Sequence, residues 1–263
     1  MTVHPALIFE TDGTFGGLLT AYAEAYRRGA LPSGVRLAGA PASGALFGEA
    51  VRVDADAALA ERVERGLERA KTGLVGRLRR AFLSERPGMD VAVLRLVDAV
   101  HDRGADAADD WTFEPAREVS RWSGRVGREA HRMEAFVRFE RAVVDGAERF
   151  VANARPEYHV LPLLTDHFAA RYPTLAWRIV DVRRGLALVH TPEPDRAGGQ
   201  PPTRIVPSDA LAGGGAAPEE EAYQTMWKAY FRAVTIPERR NMRLHLRHVP
   251  KRYWPYLTEK QPA

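Results

Sequence analysis

The chain has 263 residues, 45% of them hydrophobic, and 38 Lys and Arg against 34 Asp and Glu for a formal net charge of +4, which is enough apolar material for one large or two smaller domains. Cysteine is absent, and that excludes disulfides, thiolate zinc sites, cysteine-ligated iron-sulfur clusters and cysteine nucleophiles. The pI is near 9.5 and the basic residues are mostly arginine. A coding bias toward Arg accounts for this, and so does an acidic polymer as partner, because guanidinium grips phosphate through a planar fork of donors.

The first residues, MTVHPALIFE, lack the basic and long apolar regions of a secretory signal, and no run reaches membrane-spanning length. A cytoplasmic protein without a membrane partner is expected. Ala6 to Phe9 reads as a short strand. TDGTFGG then turns into a helix with Phe15, Leu18, Leu19, Tyr22 and Tyr26 at core spacing. A glycine-rich strand-to-helix turn can cradle phosphate. Asp12 to Gly17, however, lacks both the GxGxxG spacing and the Lys-Ser/Thr ending, so it reads as a cap and tight turn.

Arg27 to Gly48 is rich in Gly, Pro and Ala and is expected to be irregular. Val51 and Val53 suggest a brief strand, and Ala57 to about Arg103 reads as helix divided at Gly73, Gly76 and Pro87-Gly88. Arg77, Arg79 and Arg80 cluster there, as on a solvated helix face. Gly104 to Asp110 reads as a linker, so residues 1–110 form a mainly helical N-terminal region and residues 111–263 an α+β domain.

The stretch from Arg117 to Arg155 reads as a long helix running into a hairpin. Ala116, Val119, Trp122, Val126, Ala130 and Met133 form one apolar stripe, with Arg117, Arg121, Arg125, Arg128 and Arg132 on roughly the opposite side. Past Met133 the period becomes two, and Asp145-Gly146 supplies the turn. Tyr158 to Tyr172 reads as a helix ending before Pro173. Ala176 to Val182 and Leu186 to His190 form a second hairpin around Arg183-Arg184-Gly185, with a short strand at Arg204 to Val206 after a low-complexity loop. The predicted fold is α+β: an antiparallel sheet of two hairpins, in the order strand, strand, helix, strand, strand, covered by helices. A last helix carries Tyr223, Met226, Trp227, Tyr230, Phe231 and Val234, and stops at Ile236-Pro237.

Three groups bear on function. The arginine row, continued by Arg138, has guanidiniums spaced about 6 Å apart, a spacing that can follow nucleic-acid phosphates. It reads equally well as a solvated face paired with Glu118, Glu129 and Glu134. His131, His159 and His167 near Asp166 or Asp181 lack any dense metal-ligand spacing and read as structural histidines, so no cofactor is assigned. The segment Lys251, Arg252, Tyr253 and Trp254 pairs cations with rings that can stack on unpaired bases. As a terminal lid, it would instead cover the core with Tyr253, Trp254, Tyr256 and Leu257.

The segments DGTFGGLLTAYAEAY, GREAHRMEAFVRF, LPLLTDHFAARYP with AWRIVD, MWKAYFRAVTIPERRN and PKRYWPYL resemble, in order and across nearly the whole chain, a bacterial family of DNA-repair or DNA-metabolism proteins. Members are often encoded beside a radical S-adenosylmethionine protein of DNA modification or repair. Their C-terminal domain of unknown function is also found fused to uracil-DNA-binding proteins of the uracil-DNA glycosylase superfamily.

The resemblance implies DNA as partner and supplies no catalytic residues. The expectation is an accessory protein holding DNA or a damaged nucleotide for a partner radical S-adenosylmethionine or glycosylase-type enzyme. Arg128, Arg132 and Arg138 would contact phosphate, and Lys251 to Trp254 would add charge and stacking. His131, His167, Arg171, Arg239, Arg240 and Asn241 are further candidates. The alternatives are a nuclease, glycosylase or nucleotide hydrolase with a pocket of His131, His167, Asp181 and Arg171, or a docking subunit without DNA affinity.

Overall fold

A computed structural model of the chain describes residues 1–39, 49–144, 147–192, 202–210, 215–216 and 249–260. The Asp145-Gly146 turn, the helix expected around residues 223–234, and Arg239, Arg240 and Asn241 lie outside the described residues. The chain forms two compact units, Met1–Gly127 and Arg128–Ala263.

In the first unit, strand β1 (Thr2–Thr11) lies between β2 (Ala30–Leu37) and β3 (Glu49–Arg52) and runs parallel to both. Helix α1 (Phe15–Arg28) links β1 to β2; a helical crossover returns the chain to its starting edge, so the next strand pairs parallel. The α1 ends are explicit in the sequence. The Thr14 hydroxyl accepts from the Gly17 amide, and Gly29 closes the helix at φ 70° with Arg27 and Arg28 in the last turn. Phe15, Leu18, Leu19 and Tyr22 are buried as their spacing predicts, whereas Tyr26 is exposed and packs its ring edge-on against His101.

The stretch expected to be irregular holds β2. Its pairing tolerates proline because the register shifts between His4 and Ile8, where Pro5 has no N–H to give, and the Ser33 hydroxyl donates to the Pro5 and Leu7 carbonyls. The N-terminal region is therefore helix-rich around a parallel sheet.

Helices α2 (Ala57–Ala70), α3 (Leu74–Phe82) and α4 (Met89–Arg103) follow. The breaks fall at Gly73 and Gly88, both at positive φ, while Gly76 lies inside α3. Residues Ala105–Asp109 form a short 3-10 helix with Ala107 and Ala108 buried. Helix α5 (Glu114–Phe136) has its whole predicted apolar stripe buried, Ala116 through Met133. Burial on that scale stabilises by about 1.5–3 kcal/mol for each large side chain.

In the second unit the expected antiparallel sheet is mixed. Its six strands are β4 (Glu140–Val144), β5 (Ala147–Ala154), β6 (Trp177–Asp181), β7 (Leu186–His190), β8 (Thr203–Pro207) and β9 (Gly215–Ala216), ordered β8-β7-β6-β5-β4-β9. β4-β5 and β6-β7 are the two predicted hairpins, each antiparallel. They join through β5 and β6, which are parallel, because helix α6 (Leu161–Arg171) between them carries the chain back across the sheet. The alternation read from Phe136 to Phe139 is not a strand, since α5 continues to Phe136 and the Val137 amide still donates to Met133.

The core of this unit centres on Trp177, Ile179, Leu188, Leu161, Leu164 and Phe168. Trp177 stacks on His190, whose Nε2 donates to the Pro173 carbonyl at 3.0 Å, leaving Nδ1 to accept from the Thr203 hydroxyl at 2.8 Å. Among the described residues no helix is long and apolar enough to cross a membrane.

Candidate nucleic-acid interface

Trp122 sits on the inward stripe of α5, 8% exposed, with its indole N–H donating to Glu118 one turn earlier at 3.3 Å. Three guanidiniums crowd its ring. Arg86 and Arg125 each lie 4.6 Å from the centroid and Arg121 lies 5.5 Å away. Arg121 and Arg125 reach the ring from neighbouring turns of α5. Arg86 comes from the loop between α3 and α4, just after Glu85, the one non-glycine residue among those described with a positive φ, at 54°.

The electrostatics of this cluster are one-sided. Arg121 has Glu118 at 3.8 Å. Arg86 and Arg125 make no ion pair among the described residues. Cation-π attraction at such positions is worth about 0.5–1 kcal/mol each, less than a carboxylate or phosphate supplies through charge-assisted hydrogen bonds. The Arg80 Nε donates to the buried Ser123 hydroxyl at 3.1 Å beside the cluster, adding positive charge. Arg86 and Arg125, with no carboxylate paired to either among the described residues, are donors that an anion can complete.

The sequence-predicted residues divide into several groups. Arg117 donates to the Trp111 carbonyl at 3.4 Å. Arg128 is exposed and makes no ion pair among the described residues. Arg132 lies 3.6 Å from Glu129, and Arg138 donates to the Ala135 carbonyl at 2.8 Å. Neither Arg132 nor Arg138 is a free guanidinium in the sense the row suggested. His131 is exposed beside Glu134, and His167 is exposed with its ring against Phe168. Arg171 is exposed, with its Nε on the Tyr172 hydroxyl.

Asp181, the carboxylate proposed to join those histidines, is fully buried. It accepts from the amides of Arg183 and Arg184 and from the Arg184 guanidinium at 2.8 Å. That side chain is spent on the hairpin turn. Among the described residues no group of three acidic, histidine or cysteine side chains stands close enough to hold a metal.

Residues Lys251–Tyr256 form a 3-10 helix. Tyr253, offered as a stacking platform, is 2% exposed and packs toward Phe136. The Arg252 guanidinium donates to Glu129, itself 1% exposed, and to the Tyr253 hydroxyl. Burial raises the Tyr253 hydroxyl pKa well above its usual range, and Glu129 adds to the effect. Trp254 donates its indole N–H to the Val249 carbonyl, and Lys251 remains exposed.

The Asp12–Gly17 turn is occupied by the chain itself. The Asp12 carboxylate accepts from the Thr14 amide and hydroxyl, and the Thr14 hydroxyl caps α1 through Gly17. The chain's own anion stands where a phosphate would.

Sequence periodicity missed Arg86. It stands alone in SERPG, off any helical stripe, and only the close approach of that loop to α5 brings it to Trp122.

No curated protein and no solved structure matches the chain. A family model does match, over residues 87–259, and its description is a domain of unknown function, DUF4130. That span is more than half of the chain, and the chain belongs to the DUF4130 family.

Proposed function

We propose that the protein holds DNA by its phosphates, through Arg86, Arg121 and Arg125 grouped around Trp122, as an accessory to a partner enzyme of DNA repair. The observation that carries this reading is the excess of positive charge: three guanidiniums around one indole ring, with Glu118 the one carboxylate paired to any of them among the described residues. Phosphate contacts of this kind position a duplex or strand without reading its sequence, which suits a protein that presents DNA to another catalyst.

Supporting the choice of partner is the resemblance to DNA-repair proteins encoded beside a radical S-adenosylmethionine enzyme. The fusion of the same C-terminal domain to uracil-DNA-binding proteins points the same way. In this reading the chemistry belongs to the partner, and the histidines of α5 and α6 take no part in it.

The test is a mobility-shift series at rising salt with the full chain and the triple variant Arg86→Ala/Arg121→Ala/Arg125→Ala. Wild-type affinity falls steeply with salt as counterions are released, and the triple variant loses most of its low-salt binding. The pair Arg132→Ala/Arg138→Ala, whose guanidiniums are bonded within the fold, serves as the comparison and changes binding little. Equal binding by wild type and triple variant rejects this surface.

A further inference from the structure

Just before helix α5 stands the most exposed large hydrophobic residue among those described. Trp111 is 65% exposed and makes no ring stack, cation-π contact or indole hydrogen bond among the described residues. The next ring in the chain is covered: Arg103 lies 4.5 Å from the Phe113 centroid and Arg95 lies 5.8 Å from it. Trp122, within α5, is 8% exposed behind three guanidiniums, so no base can stack on it.

The backbone that carries Trp111 is held on both sides. The Asp110 carboxylate accepts from the Thr112 amide at 2.9 Å and from the Thr112 hydroxyl, and the Phe113 amide donates to the Asp110 carbonyl at 3.0 Å. The Trp111 carbonyl accepts from the Arg117 guanidinium at 3.4 Å. A bare ring on a fixed backbone loses little freedom when a flat partner settles on it.

The carboxylates nearest in sequence are already engaged. Asp109 has Arg77 at 2.8 Å, Asp110 has Arg103 at 3.9 Å and Glu114 has Arg95 at 3.2 Å. Arg117 is exposed and makes no ion pair among the described residues. Arg121 and Arg125 follow it at intervals of four, so the three share one strip of α5 about 12 Å long. Trp111 stands at the head of that strip.

Resting on the DNA-holding reading above, we propose that the DNA held there is single-stranded and that Trp111 is the platform on which one unpaired base stacks. A duplex keeps its base faces against one another and gives a lone exposed ring nothing to cover. A single strand brings phosphates to the arginines and a bare base to the indole. Every base has a π-face, so the contact favours unpaired over paired DNA without selecting a sequence.

The test measures affinity of the full chain at fixed low salt for an oligothymidylate strand, an abasic strand of the same length and a short duplex. Wild type binds oligothymidylate more tightly than the abasic strand. Trp111→Ala weakens oligothymidylate about 5- to 150-fold, leaves the abasic strand and the duplex unchanged, and keeps the wild-type dependence of affinity on salt. Trp111→Phe, which retains a π-face, recovers most of the lost affinity, and Trp111→Leu does not. Equal oligothymidylate binding by wild type and Trp111→Ala, a loss as large on the abasic strand, or equal recovery by Leu and Phe overturns the platform. The arginines are read separately, because Arg86→Ala/Arg121→Ala/Arg125→Ala lowers affinity for the abasic strand, to which Trp111 adds nothing. No loss there rejects the phosphate reading, and this site with it.

Discussion

Arg252 donates a 2.7 Å hydrogen bond to Glu129, a carboxylate 123 positions earlier in the chain and 1% exposed. The other Glu129 oxygen accepts from the Glu157 amide at 2.8 Å, so one buried side chain ties the 3-10 helix Lys251–Tyr256 and the segment after β5 to the end of α5.

This clamp gives a first prediction. Arg252→Ala leaves a buried carboxylate short of its strongest donor and destabilises the protein by about 1–3 kcal/mol, reduced from the value for a fully buried pair because the Arg252 side chain is 34% exposed. Denaturant unfolding measures it. Low-salt DNA affinity per folded molecule changes little, since this guanidinium is already engaged. A large loss of affinity without loss of stability would return Arg252 to the binding surface.

A second prediction concerns the turn into α1. A Cβ on Gly17 would collide with the Asp12 carboxylate and crowd the Thr14 hydroxyl, so Gly17→Ala disrupts the cap and costs about 1–3 kcal/mol. Adding Asp12→Ala relieves the collision and recovers part of that loss. The double-mutant cycle reads the coupling directly. Additive effects would mean that the two groups do not meet.

Asp90, in the first turn of α4, gives a third. Burial pushes its carboxyl pKa up to about 6 from an ordinary 3.8. The folded state therefore binds more protons than the unfolded state between those values. The sign follows: this contribution to stability is fully present below about pH 4 and is lost as pH rises through about 6. Asp90→Asn removes the dependence and raises stability at pH 7 by about 1–3 kcal/mol. Denaturation midpoints of the two proteins from pH 4 to pH 8 check this, and parallel profiles would contradict it.

What the sequence revealed of the fold was local. The α5 stripe, the Gly73 and Gly88 breaks and the two hairpins each follow from a period or a turn within a dozen residues. β2 was hidden because Pro32 and Gly34 weaken any strand signal, and its stability comes from pairing with β1. The parallel β5-β6 junction was hidden for a related reason. The helix between the hairpins was legible, but whether the second hairpin joins the first through its first strand, and so parallel, or through its second, and so antiparallel, is settled by packing and not by order along the chain. The candidate interface shows the same division. Arg121 and Arg125 stand on a readable helical face. Arg86 and the Arg252–Glu129 bond depend on approaches between segments far apart in sequence, which no spacing encodes.

The most direct test of the DNA-holding account is the slope of log affinity against log salt for a short DNA duplex, compared between wild type and Arg86→Ala/Arg121→Ala/Arg125→Ala. Each phosphate contact contributes about 0.9 to that slope. The account predicts a steep wild-type dependence that becomes shallower by about 2–3 in the variant, measured where the variant is still folded. Identical slopes and affinities, or no measurable binding by wild type at low salt, would contradict it.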